Sequence, residues 1–212
     1  IGYNDYLFLD ITGRNDWFST LPPDNWSFFY PSVSVSAVVT EMLGTSSNIL
    51  SYAKLRAGWA NVGSDGEPYL LEQVFDPKGL YNGSVPKFAE SKSIANSNLV
   101  PENTTGIEIG GEFKFLRGRI GLDVAYYNQS TVDQILAVDI SRASGYTSLT
   151  LNAGEIQNKG VEITLSGTVL KMANGLTIDA GINYSKNNSE VIKLAEGLSA
   201  LTLWTERGAS LE

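Results

Sequence analysis

The 212-residue sequence contains no cysteine and no histidine. Without cysteine there is no disulfide framework and no thiolate chemistry. Without histidine there is no Ser-His-Asp or Cys-His catalysis and no imidazole metal site. Basic residues are scarce too: 15 Lys and Arg against 23 Asp and Glu leave a net charge of -8. Phosphate backbones need clustered Lys and Arg, so nucleic acid is excluded as a partner. No run approaches the ~20 apolar residues of a membrane-spanning helix. A β-barrel escapes that test, because alternation hides its apolar face from hydropathy averages. No signal peptide precedes Ile1, as expected of a mature, processed or excised segment, and the closing Leu211-Glu212 carries no weight.

What is present is alternation. In "TGIEIGGEFKFLRGRIGLDVAYYNQS", Thr105 to Ser130, Ile107, Ile109, Phe113 and Phe115 share one parity, and Glu108, Glu112 and Lys114 the other. After Leu116-Arg117-Gly118, the apolar set is Ile120, Leu122, Val124 and Tyr126, opposed by Arg119 and Asp123. Period two means a strand with two unlike faces, and the Arg117-Gly118 step supplies the turn. The pattern recurs in residues 6–12, 28–39, 52–62, 160–169 and 176–185. That makes about seven strands, with at most a turn of helix near Glu41 to Leu43.

The connections alternate in length. Residues 14–27, 63–101 and 131–158 are long; residues 40–51, 116–118 and 170–175 are shorter. A soluble sandwich has no reason for this, whereas an outer-membrane barrel has short periplasmic turns and long extracellular loops. Phe29, Tyr126 and Tyr184 sit on the apolar parity near the long connections, and Phe113 and Phe115 near a short one, where interfacial girdles belong. Aromatic residues favour strands in any case, so this pattern alone leaves the sandwich open. The expected fold is all-β: about seven consecutive antiparallel up-and-down strands of a larger transmembrane β-barrel.

Five segments, in order, resemble the SusC/RagA family of TonB-linked outer-membrane transporters. They are "FYPSVSVSAVVTEML" (Phe29 to Leu43), "AKLRAGWANVGSD" (Ala53 to Asp65), "LVPENTTGIEIGGEFKFLRGRIGLDVAYYNQSTVDQIL" (Leu99 to Leu136), "SGYTSLTLNAGEIQNKGVEITL" (Ser144 to Leu165) and "YSKNNSEVIKL" (Tyr184 to Leu194). Many members carry Arg-x-Asp-Gly-Ser-Ser-Arg-Phe where this chain has Gly13-Arg14-Asn15-Asp16-Trp17-Phe18, and Trp where Ala37 stands, which suggests a sub-branch. The resemblance implies a plugged barrel of about 22 strands. Residues 1–212 are then expected to be a partial TonB-dependent receptor β-barrel domain from its later half. The plug domain and TonB-contacting segment are expected outside it. The implied partners are a SusD-like surface lipoprotein, TonB through the missing N-terminal part, outer-membrane lipid, and an oligosaccharide or peptide substrate. The implied location is the outer membrane of a Gram-negative, Bacteroidetes-type bacterium.

No motif carries catalysis or a cofactor. "NVGSDGEPY" (Asn61 to Tyr69) lacks the Gly-x-x-x-x-Gly-Lys-Ser/Thr spacing of a phosphate loop. "SDGEP" and "RNDWF" offer oxygen ligands for calcium but not the EF-hand spacing, so polar loop chemistry is the default reading. Asp and Glu alternate along strands without singling out a hydrolytic pair. The candidate ligand or lid contacts are loop aromatics: Trp17, Trp26, Tyr69, Phe75, Tyr81 and Tyr146. They suit sugar stacking or lid packing as well as loop self-packing. Residues 63–101, the longest connection, show no clear strand or helix pattern. Asn158 and Gly160 read as geometry at the start of a strand. Two alternatives stay open: a soluble β-sandwich carbohydrate-binding module and a carbohydrate-active enzyme.

Overall fold

The computed structural model describes residues 1–45, 47–173, 175–194, 203–204 and 210–211; Glu212 lies outside them, as do Ser46 and Asn174 in two of the short turns. In chain order the strands are β1 (Gly2–Tyr3), β2 (Leu7–Trp17), β3 (Ser27–Val38), β4 (Leu50–Ser64), β5 (Phe75–Tyr81), β6 (Val85–Glu90) and β7 (Ser93–Ile94). They continue with β8 (Glu102–Phe115), β9 (Ile120–Val132), β10 (Ile135–Asp139), β11 (Ser148–Asn152), β12 (Glu155–Lys171) and β13 (Thr177–Lys193). A two-residue pair, β14 (Leu203–Trp204) and β15 (Ser210–Leu211), follows; a short α-helix, α1, is Val39–Met42, and single 3-10 turns are Pro23–Asn25 and Arg142–Ser144.

The main sheet has the order β1-β2-β3-β4-β8-β9-β12-β13. All its pairings are antiparallel, and its seven long strands are the seven expected from alternation. They are longer than their apolar parts. Asn187, Asn188 and Ser189 carry no alternation signal, yet they pair with Gly160, Lys159 and Asn158. Backbone pairing holds polar residues extended wherever a neighbouring strand offers donors and acceptors. One consequence is that the connection 18–26 is similar in length to 39–49, so the contrast of long and short rests on 65–101 and 133–154 against 116–119 and 172–176.

Register separates two faces. One carries Val33, Val35, Leu55, Trp59, Ile107, Ile109, Leu122, Val124, Ile163 and Leu165; the other carries Ser34, Ser36, Arg56, Glu108, Glu112, Asp123 and Glu162. Neither is covered: Leu55 is 49% exposed, Ile109 56% and Ile182 67%. A contiguous apolar face of this size is not left in water by a soluble monomer.

The apolar face has a sloping upper edge. On β4 and β8 it ends at Trp59 and Ile107, which share a rung and are followed outward by Asn61 and Thr105. On β9 and β12 it ends one same-face step lower, at Tyr126 and Val161, before Asn128 and Lys159. On β13 it ends a further step lower, at Tyr184, before Lys186. The edge therefore falls by four residues over four strand spacings, about 13 Å of strand against about 19 Å of sheet, a slope of about 35°. Strands tilted by that amount relative to a flat apolar layer produce this staircase, and membrane barrels tilt their strands by about 35–45°.

Two local readings are corrected. Gly160 lies inside β12, not at its start, and a Cβ there would meet Tyr127 Oη and Lys186 O at 2.5 Å. It is bare so that Tyr127 can cross β12 and donate to Asn187 Oδ1 at 3.0 Å. The 116–118 turn uses more than its Arg-Gly step: Leu116, Arg117 and Gly118 all have positive φ, at 54°, 58° and 81°. The neighbouring connection holds it. Leu116 N donates to Ile49 O at 2.9 Å, Arg117 Nε to Asn48 Oδ1 at 2.9 Å, and Gly118 N to Ser51 Oγ at 3.1 Å.

Candidate functional site

The most deeply buried side chains lie outside the main sheet. Leu21 and Leu99, each 1% exposed, sit in the connections 18–26 and 65–101; Val138, Thr150 and Ala153, all at most 5% exposed, sit in the connection 133–154 or the short strands within it. These three connections thus pack on one another at one end of the sheet. Polar side chains stitch them. Thr20 donates to Asp65 Oδ2 at 2.6 Å and Asn25 to Leu99 O at 2.9 Å. Asn152 donates to Val100 O and Asp133 O and accepts from Val100 N. Glu102 accepts from Ile135 N at 2.8 Å. β7 adds in parallel to β11, giving a small sheet β10-β11-β7 built from two connections far apart in sequence.

One element stands off this platform. Among the described residues, β5 and β6 pair only with each other. Their turn is the three residues Asn82 to Ser84 between the paired Tyr81 and Val85; Asn82 and Gly83 take positive φ, 48° and 72°, and Ser84 N donates to Tyr81 O at 3.2 Å. At the foot, Ser91 N donates to Val74 O at 3.0 Å, and Gln73 bonds Ser91 O, Ser93 O and Ala95 N. The hairpin exposes Phe75, Leu80, Tyr81, Val85 and Phe88, each by more than half. The Asn-Gly signal was in the sequence; Pro77 and Gly79 mask the alternation around it.

The six candidate aromatics do not form one site. Phe75 and Tyr81 belong to the hairpin, and Tyr146 is tied to its foot, donating to Glu90 Oε1 at 2.9 Å. The same bond to the Glu90 carboxylate holds the Tyr146 phenol above its ordinary pKa. Trp17 ends β2 and is 72% exposed. Trp26 is a pin of its own connection: its indole donates to Leu21 O and its carbonyl accepts from Phe18 N. Tyr69 stands alone at φ 68° and 79% exposed. Of the carboxylates considered for calcium, Asp16 pairs with Arg14 at 2.9 Å and Asp65 accepts from Thr20, while Glu67 lines a cleft. Beside the platform, a cleft of about 310 Å³ is lined by Asp65, Glu67, Glu102, Leu70, Ile135 and Ala137.

The polar face of the sheet is a charge ladder. Glu112 and Asp123 are directly opposed across β8 and β9, a repulsive pairing on its own. Arg56 of β4 bridges over Gly110 and donates twice to Asp123, at 2.8 and 2.9 Å, with Glu108 at 3.5 Å. A Cβ on Gly110 would lie 2.8 Å from Arg56 Cζ. Lys114 neutralises Glu112 at 3.1 Å.

A sequence model of the family described as TonB dependent receptor-like, beta-barrel, matches residues 1–201. TonB-dependent receptor SusC of Bacteroides thetaiotaomicron is 30% identical over 202 residues, covering 92% of this chain and 20% of that protein. TonB-dependent receptor P26 of Formosa agariphila is 28% identical over 196 residues, 91% of this chain and 20% of that protein. Among solved structures, a chain of the RagAB peptide transporter superposes with a TM-score of 0.83 at 25% identity, over 95% of this chain and 22% of that one. The siderophore receptor PirA from Pseudomonas aeruginosa shares the fold, with a TM-score of 0.55 at 17% identity over 88% of this chain and 32% of that one. The chain spans about a fifth of the length of the curated relatives it matches.

Proposed function

We propose, because the chain belongs to the TonB dependent receptor-like β-barrel family, that its seven long strands are wall strands of an outer-membrane importer. The apolar face meets lipid and the charge ladder lines the lumen. The observation that carries this reading is the sloping apolar edge, topped on three strands by Trp59, Tyr126 and Tyr184. A soluble sandwich would cover that face with a second layer.

The whole receptor, in this reading, imports oligosaccharides or peptides, is energised through TonB by a segment outside these residues, and works with a SusD-like surface lipoprotein. The stitched connections form its extracellular rim. The β5–β6 hairpin is the part that reaches lid or ligand, since its apolar side chains stay exposed while its foot is tied to the stitched connections. The resemblance of the fold to the RagAB peptide transporter supports weighing peptides alongside glycans.

The test is uptake. A strain lacking the receptor, complemented with it, is offered labelled oligosaccharides and peptides with and without an intact TonB system. The proposal expects uptake of one oligomer class that needs both receptor and TonB. Equal uptake without the receptor across both classes contradicts it.

A further inference from the structure

We propose that Lys159 and Lys186 form an anchor for the phosphate of an anionic membrane lipid, a proposal that rests on the membrane reading above. Both lysines project from the apolar face, each at the first position beyond its edge, Lys159 after Val161 and Lys186 after Tyr184. The residues at the same edge on β4, β8 and β9 are Asn61, Thr105 and Asn128. Positive charge along this stretch of the edge is thus confined to the β12–β13 pair.

The two lysines are diagonal neighbours: Lys159 pairs with Asn188 and Lys186 with Val161. Diagonal positions on one face lie about 7–8 Å apart, so two ammonium groups on flexible stems can converge on one phosphate. Lys186 has no carboxylate partner among the described residues. Lys159 donates to Gln157 at 3.2 Å and lies 3.8 Å from Glu190, a residue on a rung farther from the apolar band. Charge at the hydrocarbon edge is therefore positive, with the opposing carboxylate displaced towards water.

Tyr126, Tyr184, Val161 and Ile163 lie just below. A free anion would gain nothing from that apolar wall. A lipid uses both parts, its phosphate on the lysines and its acyl chains on the wall. Lysine stems reach from apolar surface to the headgroup level in just this way.

The experiment uses the full-length receptor in nanodiscs of phosphatidylcholine doped with phosphatidylglycerol, followed by detergent extraction and native mass spectrometry of retained lipid. Lys159→Gln and Lys186→Gln are each expected to lower retained phosphatidylglycerol about fivefold, the effect of about 1 kcal/mol per basic residue at a membrane surface. The double variant is expected to lower it further, while phosphatidylcholine retention and a Lys87→Gln control stay unchanged. Heat-modifiable gel mobility reports folding separately. Folded variants that keep wild-type phosphatidylglycerol overturn the anchor alone. Displacement of the lipid by excess inorganic phosphate overturns the lipid assignment. Failure of the wild type to fold into any nanodisc overturns the membrane reading with it.

Discussion

Arg56 reaches Asp123 across an intervening strand, passing over the bare backbone of Gly110 to make two hydrogen bonds at 2.8 and 2.9 Å. Tyr127 repeats the arrangement over Gly160 to reach Asn187. In both cases a glycine on the middle strand turns a neighbour-to-neighbour sheet into one with second-neighbour ties on its polar face. Such ties resist shear of one strand past the next, and the glycine is selected by what must lie on top of it.

The first prediction concerns that tie. The groups are partly exposed, so the coupling is modest, about 0.5–1 kcal/mol. A double-mutant cycle with Arg56→Gln and Asp123→Asn, read by urea unfolding of the receptor in lipid vesicles, should return a favourable coupling that shrinks as salt rises. A coupling of zero at low salt would show that the bidentate geometry contributes nothing.

The second concerns the faces. Arg at Leu122, on the apolar face, should cost about 2–4 kcal/mol near the bilayer midplane. Arg at Glu162, exposed on the polar face of the adjacent strand, should cost much less. Asp123 makes a poorer control, since replacing it also strands Arg56. Folding yields into vesicles decide the matter, and equal losses would contradict the assignment.

The third concerns the hairpin. Residues 75–90 can be replaced by a two-residue Asn-Gly link, because Val74 and Ser91 already meet through a backbone hydrogen bond. Leu70 and Gln73 must be kept, since Leu70 O accepts from Asn96 N and Gln73 holds three backbone groups of the platform. The shortened receptor should reach wild-type abundance but lose co-purifying lipoprotein or uptake of its oligomer. Retention of both would reduce the hairpin to a spacer.

How much of this the sequence disclosed depends on the scale. Ile107, Ile109, Leu122 and Val124 announce their strands, because two unlike solvents impose period two. The polar extensions do not: Asn187 to Ser189 are extended only because Asn158 to Gly160 pair with them. Nor does the platform, since β7 and β11 meet through a parallel contact that no local pattern encodes. Nor does the bond from the Trp26 indole to Leu21 O, which loop packing decides. Gly160 looked like a bend and proved to be clearance for Tyr127, which is visible only once the register is known.

The fourth prediction follows from the tight turn. Leu116 is half exposed with φ 54°, a conformation that asparagine tolerates far better than leucine. Leu116→Asn should stabilise the receptor by roughly 0.5–1 kcal/mol, seen as a higher urea midpoint. A lower midpoint would mean that the leucine side chain makes a contact worth more than the strain.

The central claim is that the apolar face meets lipid along a sloping edge. The 212 residues contain no cysteine, so in a receptor freed of any cysteine elsewhere, single spin labels can be placed on Trp59, Tyr126, Tyr184, Leu122, Ile163, Glu112 and Glu162 in vesicles. Collision with oxygen, which concentrates in lipid, is then compared with collision with a water-soluble nickel complex. The account predicts oxygen-dominated Leu122 and Ile163, nickel-dominated Glu112 and Glu162, and a shared shallow depth for Trp59, Tyr126 and Tyr184 despite their different rungs. Nickel dominance at Leu122 and Ile163, or depths that follow the rungs and not the slope, would contradict it.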